Sequence, residues 1–309
     1  MHRSILRVLV CGVALSCFSG VIVAADSVPV WPGLAPREIS GEASDSVGVP
    51  RLPSSGIDDG VTRLHNVRRP TVDVFLADKP NGTAVVVLPG GGFMKVVPDK
   101  EGSEVAPLLN RLGISVFVLR YRTNEVTPKD EPAWLRPLQD AQRTIRMIRS
   151  RAQQYQVDPD RVGQLSFSAG GQVGAVWMTA SGNAAYPSID IIDEQDCRPD
   201  FSMLIYPWNL VRKGSDQGES LGRLIVPIQP NKDCRPTFIV HTHDDNSTSI
   251  GSVLLYAGLK RHGVPAELHV YQNGGHGYGA RQVPNSDIGT WPERATDWLR
   301  LRGLAEPQP

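Results

Sequence analysis

The sequence predicts an α/β fold with a mostly parallel central sheet and helices on both faces. Two observations carry this. Continuously apolar, β-branched runs alternate with segments of helical periodicity, as strands buried on both faces alternate with crossover helices. Polar residue types suited to catalysis then cluster just past the ends of several of those runs, the edge where open parallel sheets place their sites.

Residues 1–25 carry Arg3 and Arg7, an apolar run from 8 to 23, and small residues ending at Ala25. They read as a secretory signal cleaved near Ala25, because the run is shorter than the ~20 residues a spanning helix needs. An uncleaved anchor or a lipid-attached Cys17 is the alternative. The mature chain is therefore expected to be exported (periplasmic or extracellular) and free of the membrane. Residues 26–65 are rich in Pro, Gly, Ser and Asp without clear period and read as an extended N-terminal arm. Residues 66–309 form the expected main domain.

Within it, 71–76 (TVDVFL) alternates as a half-buried strand does. The runs 84–88 (AVVVL) and 114–119 (ISVFVL) suit buried parallel strands. A helix is expected over 137–155, a turn at 158–160, a strand at 162–167 and a helix over 169–181. Strands follow at 201–206, 237–241 and 267–271, with helices over 250–262 and 291–301. The connections 182–200 and 207–236 exceed simple connectors, so they are expected to carry function or cover a site.

The chain has 309 residues, with 32 Lys+Arg against 32 Asp+Glu, so it lacks the basic excess of a nucleic-acid binder. Aromatics at 6% also argue against a base-stacking platform. Beyond the signal only Cys197 and Cys234 remain, and an oxidising compartment permits but does not require their pairing.

Four motifs carry chemistry. In Ser166-Phe167-Ser168-Ala169-Gly170 a strand meets a helix at Ser168, matching G-x-S-x-G except that Ser166 replaces the first Gly. Pro89-Gly90-Gly91-Gly92 follows the AVVVL strand. Position 95 is Lys, so the dinucleotide fingerprint fails. The N–H groups of Gly91 and Gly92, with that of Ala169, are candidates for an oxyanion hole. His276 sits in Gly274-Gly275-His276-Gly277, and Asp244-Asp245 ends the run His241-Thr242-His243. The order Ser168, Asp245, His276 is that of a nucleophile, acid and base on this fold, with Asp244 as rival acid. His241-x-His243-x-Asp245 also resembles the start of the metal-binding run of the metallo-β-lactamase fold, but the next residue is Asn246.

LPGGGF, Glu101-Gly102, LNRLGISVFVLRYR, VDPDRVG, SFSAGG, DFSMLIYP, PTFIVHTHDD and QNGGHGYG together resemble the secreted carbohydrate-esterase branch of the α/β-hydrolase superfamily, which includes acetylxylan esterases and feruloyl-esterase-like or dienelactone-hydrolase-like proteins. The resemblance covers roughly 30–302. It implies the α/β-hydrolase fold and a serine esterase acting on acylated carbohydrate or small esters. It assigns Ser168 as nucleophile, Asp245 as acid, His276 as base and Gly91, Gly92 and Ala169 as oxyanion donors, with no cofactor or metal. Two alternatives stand beside it. One is a serine peptidase of the prolyl-oligopeptidase type, and the other a non-catalytic relative that binds carbohydrate.

Overall fold

The computed structural model describes residues 26–41, 44–215 and 220–305. The expected signal segment lies outside the described residues. Among these residues ten strands form: β1 (Asp26–Pro29), β2 (Val47–Pro50), β3 (Leu64–Val67), β4 (Thr71–Phe75), β5 (Gly82–Leu88), β6 (Ser115–Arg120), β7 (Val157–Phe167), β8 (Ser202–Ile205), β9 (Thr237–Thr242) and β10 (Ala266–Tyr271). Eight of them make one sheet in the order β1-β4-β6-β5-β7-β8-β9-β10, and β2 pairs with β3 in a separate ribbon. β4 runs antiparallel to both neighbours, and every pair from β6 to β10 is parallel. This is the α/β-hydrolase fold.

Among the described residues six α-helices flank the sheet: α1 (Ala106–Asn110), α2 (Leu135–Ser150), α3 (Ala152–Tyr155), α4 (Ser168–Thr179), α5 (Ile250–Arg261) and α6 (Trp291–Leu301). The period of two along β5 divides the core. Ala84, Val86 and Leu88 pack with Leu138, Ile145, Val173, Trp177 and Leu255 of α2, α4 and α5. Val85 and Val87 point the other way, onto Leu109 of α1 and Trp298 and Leu299 of α6. Each such buried valine or leucine stabilises the fold by about 1.5–3 kcal/mol. The parallel strands therefore all deliver their C-terminal ends to one rim.

Several expectations are corrected. The 71–76 strand is not half-buried: all five residues of β4 are buried, with Val72 and Val74 in the core on one face and Phe75 in the core on the other, and Asp73 Oδ2 pairs with Arg120 at 2.6 Å. The 137–155 helix breaks at Arg151 (φ −112°, ψ 23°), separating α2 from α3. The turn at 158–160 is a bulge inside β7, where the register against β5 slips and Asp158 accepts the N–H of Asp160 at 3.0 Å. Part of the 26–65 arm joins the main sheet as β1, and the Trp31 indole donates to buried Asp140 at 2.8 Å.

The 182–200 segment does not line the clefts beside Ser168. It packs on α2 instead. Arg143 pairs with Asp190 and Asp193, Arg146 with Asp193, and Arg149 with Asp200. The 207–236 connection does reach the clefts, through Trp208, Asn209 and Arg212. Cys197 and Cys234 are separate, buried thiols. Burial pushes both thiol pKa values up, as expected of inert core cysteines. Among the described residues no helix is long and apolar enough to cross a membrane.

Candidate active site

β7 ends at Phe167 and α4 begins at Ser168, whose φ of +51° lies in the left-handed region. For a residue with a Cβ that conformation costs roughly 1–3 kcal/mol and persists only when its surroundings impose it. Here they do. A Cβ on Gly170 would stand 2.3 Å from the Leu88 carbonyl oxygen, and one on Gly171 would stand 2.7 Å from Pro207 Cα. The first turn of α4 is thus wedged between the ends of β5 and β8. The Trp208 N–H also donates to the Ser168 carbonyl at 2.9 Å. Ser166, which replaces the usual elbow glycine, is buried and donates to Gln164 Oε1 at 2.8 Å. It fits because Gly174 lies opposite, where a Cβ would come within 2.7 Å of its hydroxyl.

Ser168 Oγ lies 2.7 Å from His276 Nε2, and His276 Nδ1 lies 2.6 Å from Asp245 Oδ2. An ionised carboxylate only accepts, so Nδ1 carries the proton and Nε2 is free to accept from the serine hydroxyl. Asp245 also receives His241 Nε2 at 3.1 Å and the Ser247 N–H at 2.6 Å, while the other nitrogen of His241 meets Ser252 Oγ at 2.8 Å. Burial pushes the Asp245 carboxyl up, but these donors outweigh it and hold the pKa well below the usual carboxylate range. The acid facing His276 is Asp245. Asp244 is exposed and accepts the N–H groups of Gly275 at 2.9 Å and Gly274 at 3.2 Å, tying down the loop that carries the histidine. The metal alternative needs His241 and His243 on one ion. His241 instead faces Asp245 and Ser252, and His243, past the end of β9, is exposed.

The glycine loop closes the other side. Gly91 (φ +135°) must be glycine, since a Cβ there would be 2.1 Å from the Lys95 carbonyl oxygen. Among the described residues the N–H groups of Gly91 and Gly92 donate to no protein acceptor, and both residues line the cleft of about 430 Å³ that holds Ser168 and His276. Ala169 is buried directly after Ser168, and its N–H, in the first turn of α4, has no intrahelical acceptor. Trp208 lines this cleft, whereas Tyr278 and Trp291 are buried in the core.

Glu101 is the residue whose role sequence reasoning missed, although it stands inside a matched motif. It is buried beside Ser168, and each oxygen holds one loop. Oε2 accepts the Gly90 N–H at 2.7 Å, and Oε1 accepts the Tyr206 hydroxyl at 2.9 Å. Tyr206 in turn accepts the Gly279 N–H at 2.8 Å and sets its ring edge-on to His276, 5.0 Å between centroids. One carboxyl thus links the glycine loop to the histidine loop. In Glu101→Gln the amide nitrogen cannot accept, so one of these bonds is lost and kcat for the hydrolysis proposed below is expected to fall about tenfold or more. Burial raises the Glu101 pKa. A carboxyl raised in the folded state costs stability as pH climbs through its folded pKa. The melting temperature of the native chain relative to Glu101→Gln is therefore expected to fall as pH rises above the ordinary glutamate range, as differential scanning fluorimetry would show.

With this geometry in view, the similarities of the chain are specific. The BD-FAE family model matches residues 72–201, and the prolyl oligopeptidase family model matches 138–301, just over half of the chain. An acetylxylan esterase of Xylanibacter ruminicola is 27% identical over 235 residues, covering 70% of this chain and 44% of that protein. An endo-1,4-beta-xylanase B of Butyrivibrio fibrisolvens is 27% identical over 214 residues, covering 62% and 32%. The chain spans less than half the length of these curated relatives. The acetyl ester-xyloside bifunctional hydrolase of Caldicellulosiruptor lactoaceticus superposes with a TM-score of 0.68 at 28% identity, covering 93% of this chain and 100% of that one. An esterase of Thermogutta terrifontis shares the fold, with a TM-score of 0.64 at 20% identity over 79% and 91%.

Proposed function

Because the chain belongs to the prolyl oligopeptidase family of α/β-hydrolases, in the BD-FAE carbohydrate-esterase branch of that fold, we propose that it is a serine esterase removing acyl groups, foremost acetyl, from carbohydrate. The observation that carries this is the unbroken contact from Ser168 Oγ through His276 to Asp245 at the floor of the glycine-rimmed cleft. Ser168 Oγ attacks the acyl carbon while its proton passes to His276 Nε2. The carbonyl oxygen, now negative, is met by the N–H groups of Gly91, Gly92 and Ala169. Collapse breaks the bond to the sugar oxygen, which leaves with the proton from His276. Water then attacks the acyl-enzyme, gives its proton to Nε2, and releases the carboxylic acid and the serine. Asp245 keeps Nδ1 protonated and stabilises the imidazolium, and His241 and the Ser247 N–H keep Asp245 ionised and in place.

The match to the prolyl oligopeptidase family model favours a second reading, cleavage of aminoacyl amides by the same residues. Acetate release from acetylated xylan at a kcat/KM well above that for aminoacyl amides is the expected result, and the reverse order would establish the peptidase. Fluorophosphonate labelling of Ser168 is expected, and sugar binding without labelling would leave a carbohydrate-binding protein. Export, read from residues 1–25, belongs to the same proposal, and a secreted chain starting at Asp26 is its check.

A further inference from the structure

The charge lining the cleft is one-sided. Three cations, Arg63, Lys95 and Lys100, line it with Ser168 and His276, and Glu101 is the one acid among the described residues that does. Glu101 is 5% exposed and both its oxygens are already engaged by Gly90 and Tyr206. Arg63 is neutralised by a two-pronged bond to Asp59, both contacts at 2.7 Å. Asp99, the acid next to Lys100, spends its two oxygens on the N–H groups of Thr62 and Lys100. Lys95 and Lys100 are half-buried and form no ion pair among the described residues. Their stems are fixed by the two loops that build the site: Lys95 packs on Gly91 and Lys100 on Gly279.

The chain as a whole holds 32 basic and 32 acidic residues, so this excess of cations is local. Along α2 the arginines of the 182–200 contact find aspartate partners, and Arg122 is matched to Asp140 in the core. Lys95 and Lys100, by contrast, stand beside the reacting serine without an ion pair among the described residues. The same sign continues next door. Trp208 lines the first cleft, and Asn209 begins a second one of about 460 Å³. Arg212 and Lys213 line that cleft with the neutral donors Gln172, Ser247 and Thr248, and among the described residues no carboxylate lines it.

We propose that this paired cleft takes an anionic glycan, an O-acylated polysaccharide bearing uronate carboxylates near the scissile ester. The proposal rests on the esterase reading. A neutral acetylated chain needs only hydroxyl partners and leaves the ammonium groups of Lys95 and Lys100 without an ion pair beside the leaving sugar. A uronate supplies the missing charge to Lys95 and Lys100, while the amide and hydroxyl groups of the second cleft meet ring hydroxyls. Attraction of this kind raises the encounter rate and selects partners by sign, and added salt screens it.

The test measures acetate release by the full chain from acetylated polygalacturonate and from acetylated xylan freed of uronic acid. The ratio of the two kcat/KM values is expected to favour the acidic polymer about tenfold at about 20 mM salt and to shrink towards one at about 500 mM. Lys95→Gln with Lys100→Gln is expected to cut the low-salt ratio by about tenfold, with each single change contributing part of it. A ratio at or below one, a ratio indifferent to salt, or an unchanged ratio in the double variant overturns the proposal. The salt series on the native chain decides it even where the double variant does not fold. Absence of turnover of p-nitrophenyl acetate by the native chain is a different failure, which removes the esterase reading and this proposal with it.

Discussion

Ser168→Ala is expected to lower kcat for acetyl-ester hydrolysis by about 10⁵-fold or more, the scale seen when a serine nucleophile is removed and only the oxyanion donors and binding remain. The chain itself is expected to stay folded. The hydroxyl's one side-chain partner is His276, and the alanine inherits the same left-handed backbone, so no core contact changes. Ser166 cannot take over, because it is wholly buried and bonded to Gln164. Steady-state hydrolysis of p-nitrophenyl acetate with a parallel thermal melt measures both halves. Retention of more than about one per cent of the rate would place the nucleophile elsewhere.

Asp245→Asn is expected to cost about 10⁴-fold in kcat. Oδ1 must go on accepting the Ser247 N–H, so the new amide nitrogen takes the place of Oδ2 and faces two imidazoles. It can only donate. His276 then turns its lone pair to Nδ1 and its proton to Nε2, the nitrogen that must accept from Ser168. Asp244→Asn separates orientation of the base from support of its loop. It weakens the hold on the Gly274 and Gly275 N–H groups but leaves the tautomer alone, so a loss nearer tenfold is expected. Equal losses in the two variants, read from kcat, would contradict the division of labour between these neighbours.

The strands were legible because most are buried on both faces and so read as unbroken apolar runs. AVVVL and ISVFVL became β5 and β6 with little change of boundary. β1 was not, because four residues of edge strand, Asp-Ser-Val-Pro, carry too short a pattern to stand out from an arm. The residues of the site were legible as motifs beside strand ends. Their supports were not, because Glu101 and Tyr206 act on backbone N–H groups of remote loops, and no periodicity encodes such partners. His241 was visible as a residue, but its orientation towards Asp245 depends on how the chain turns after β9. A usable signal did exist for 182–200. Arg143, Arg146 and Arg149 recur every three residues on α2, and Asp190 and Asp193 stand at the same spacing, a complementary row that marks packing on a helix.

Ser166 and Gly174 face each other across the junction of β7 and α4 with room for one side chain between them. The hydroxymethyl group that Ser166 adds where the G-x-S-x-G pattern has glycine is accommodated by the absence of a side chain at Gly174. The positions are therefore not independent choices: a side chain at 174 would press on the Ser166 hydroxyl, on Gln164 and on Leu204 at once, so a substitution there is admissible only if all three give way together.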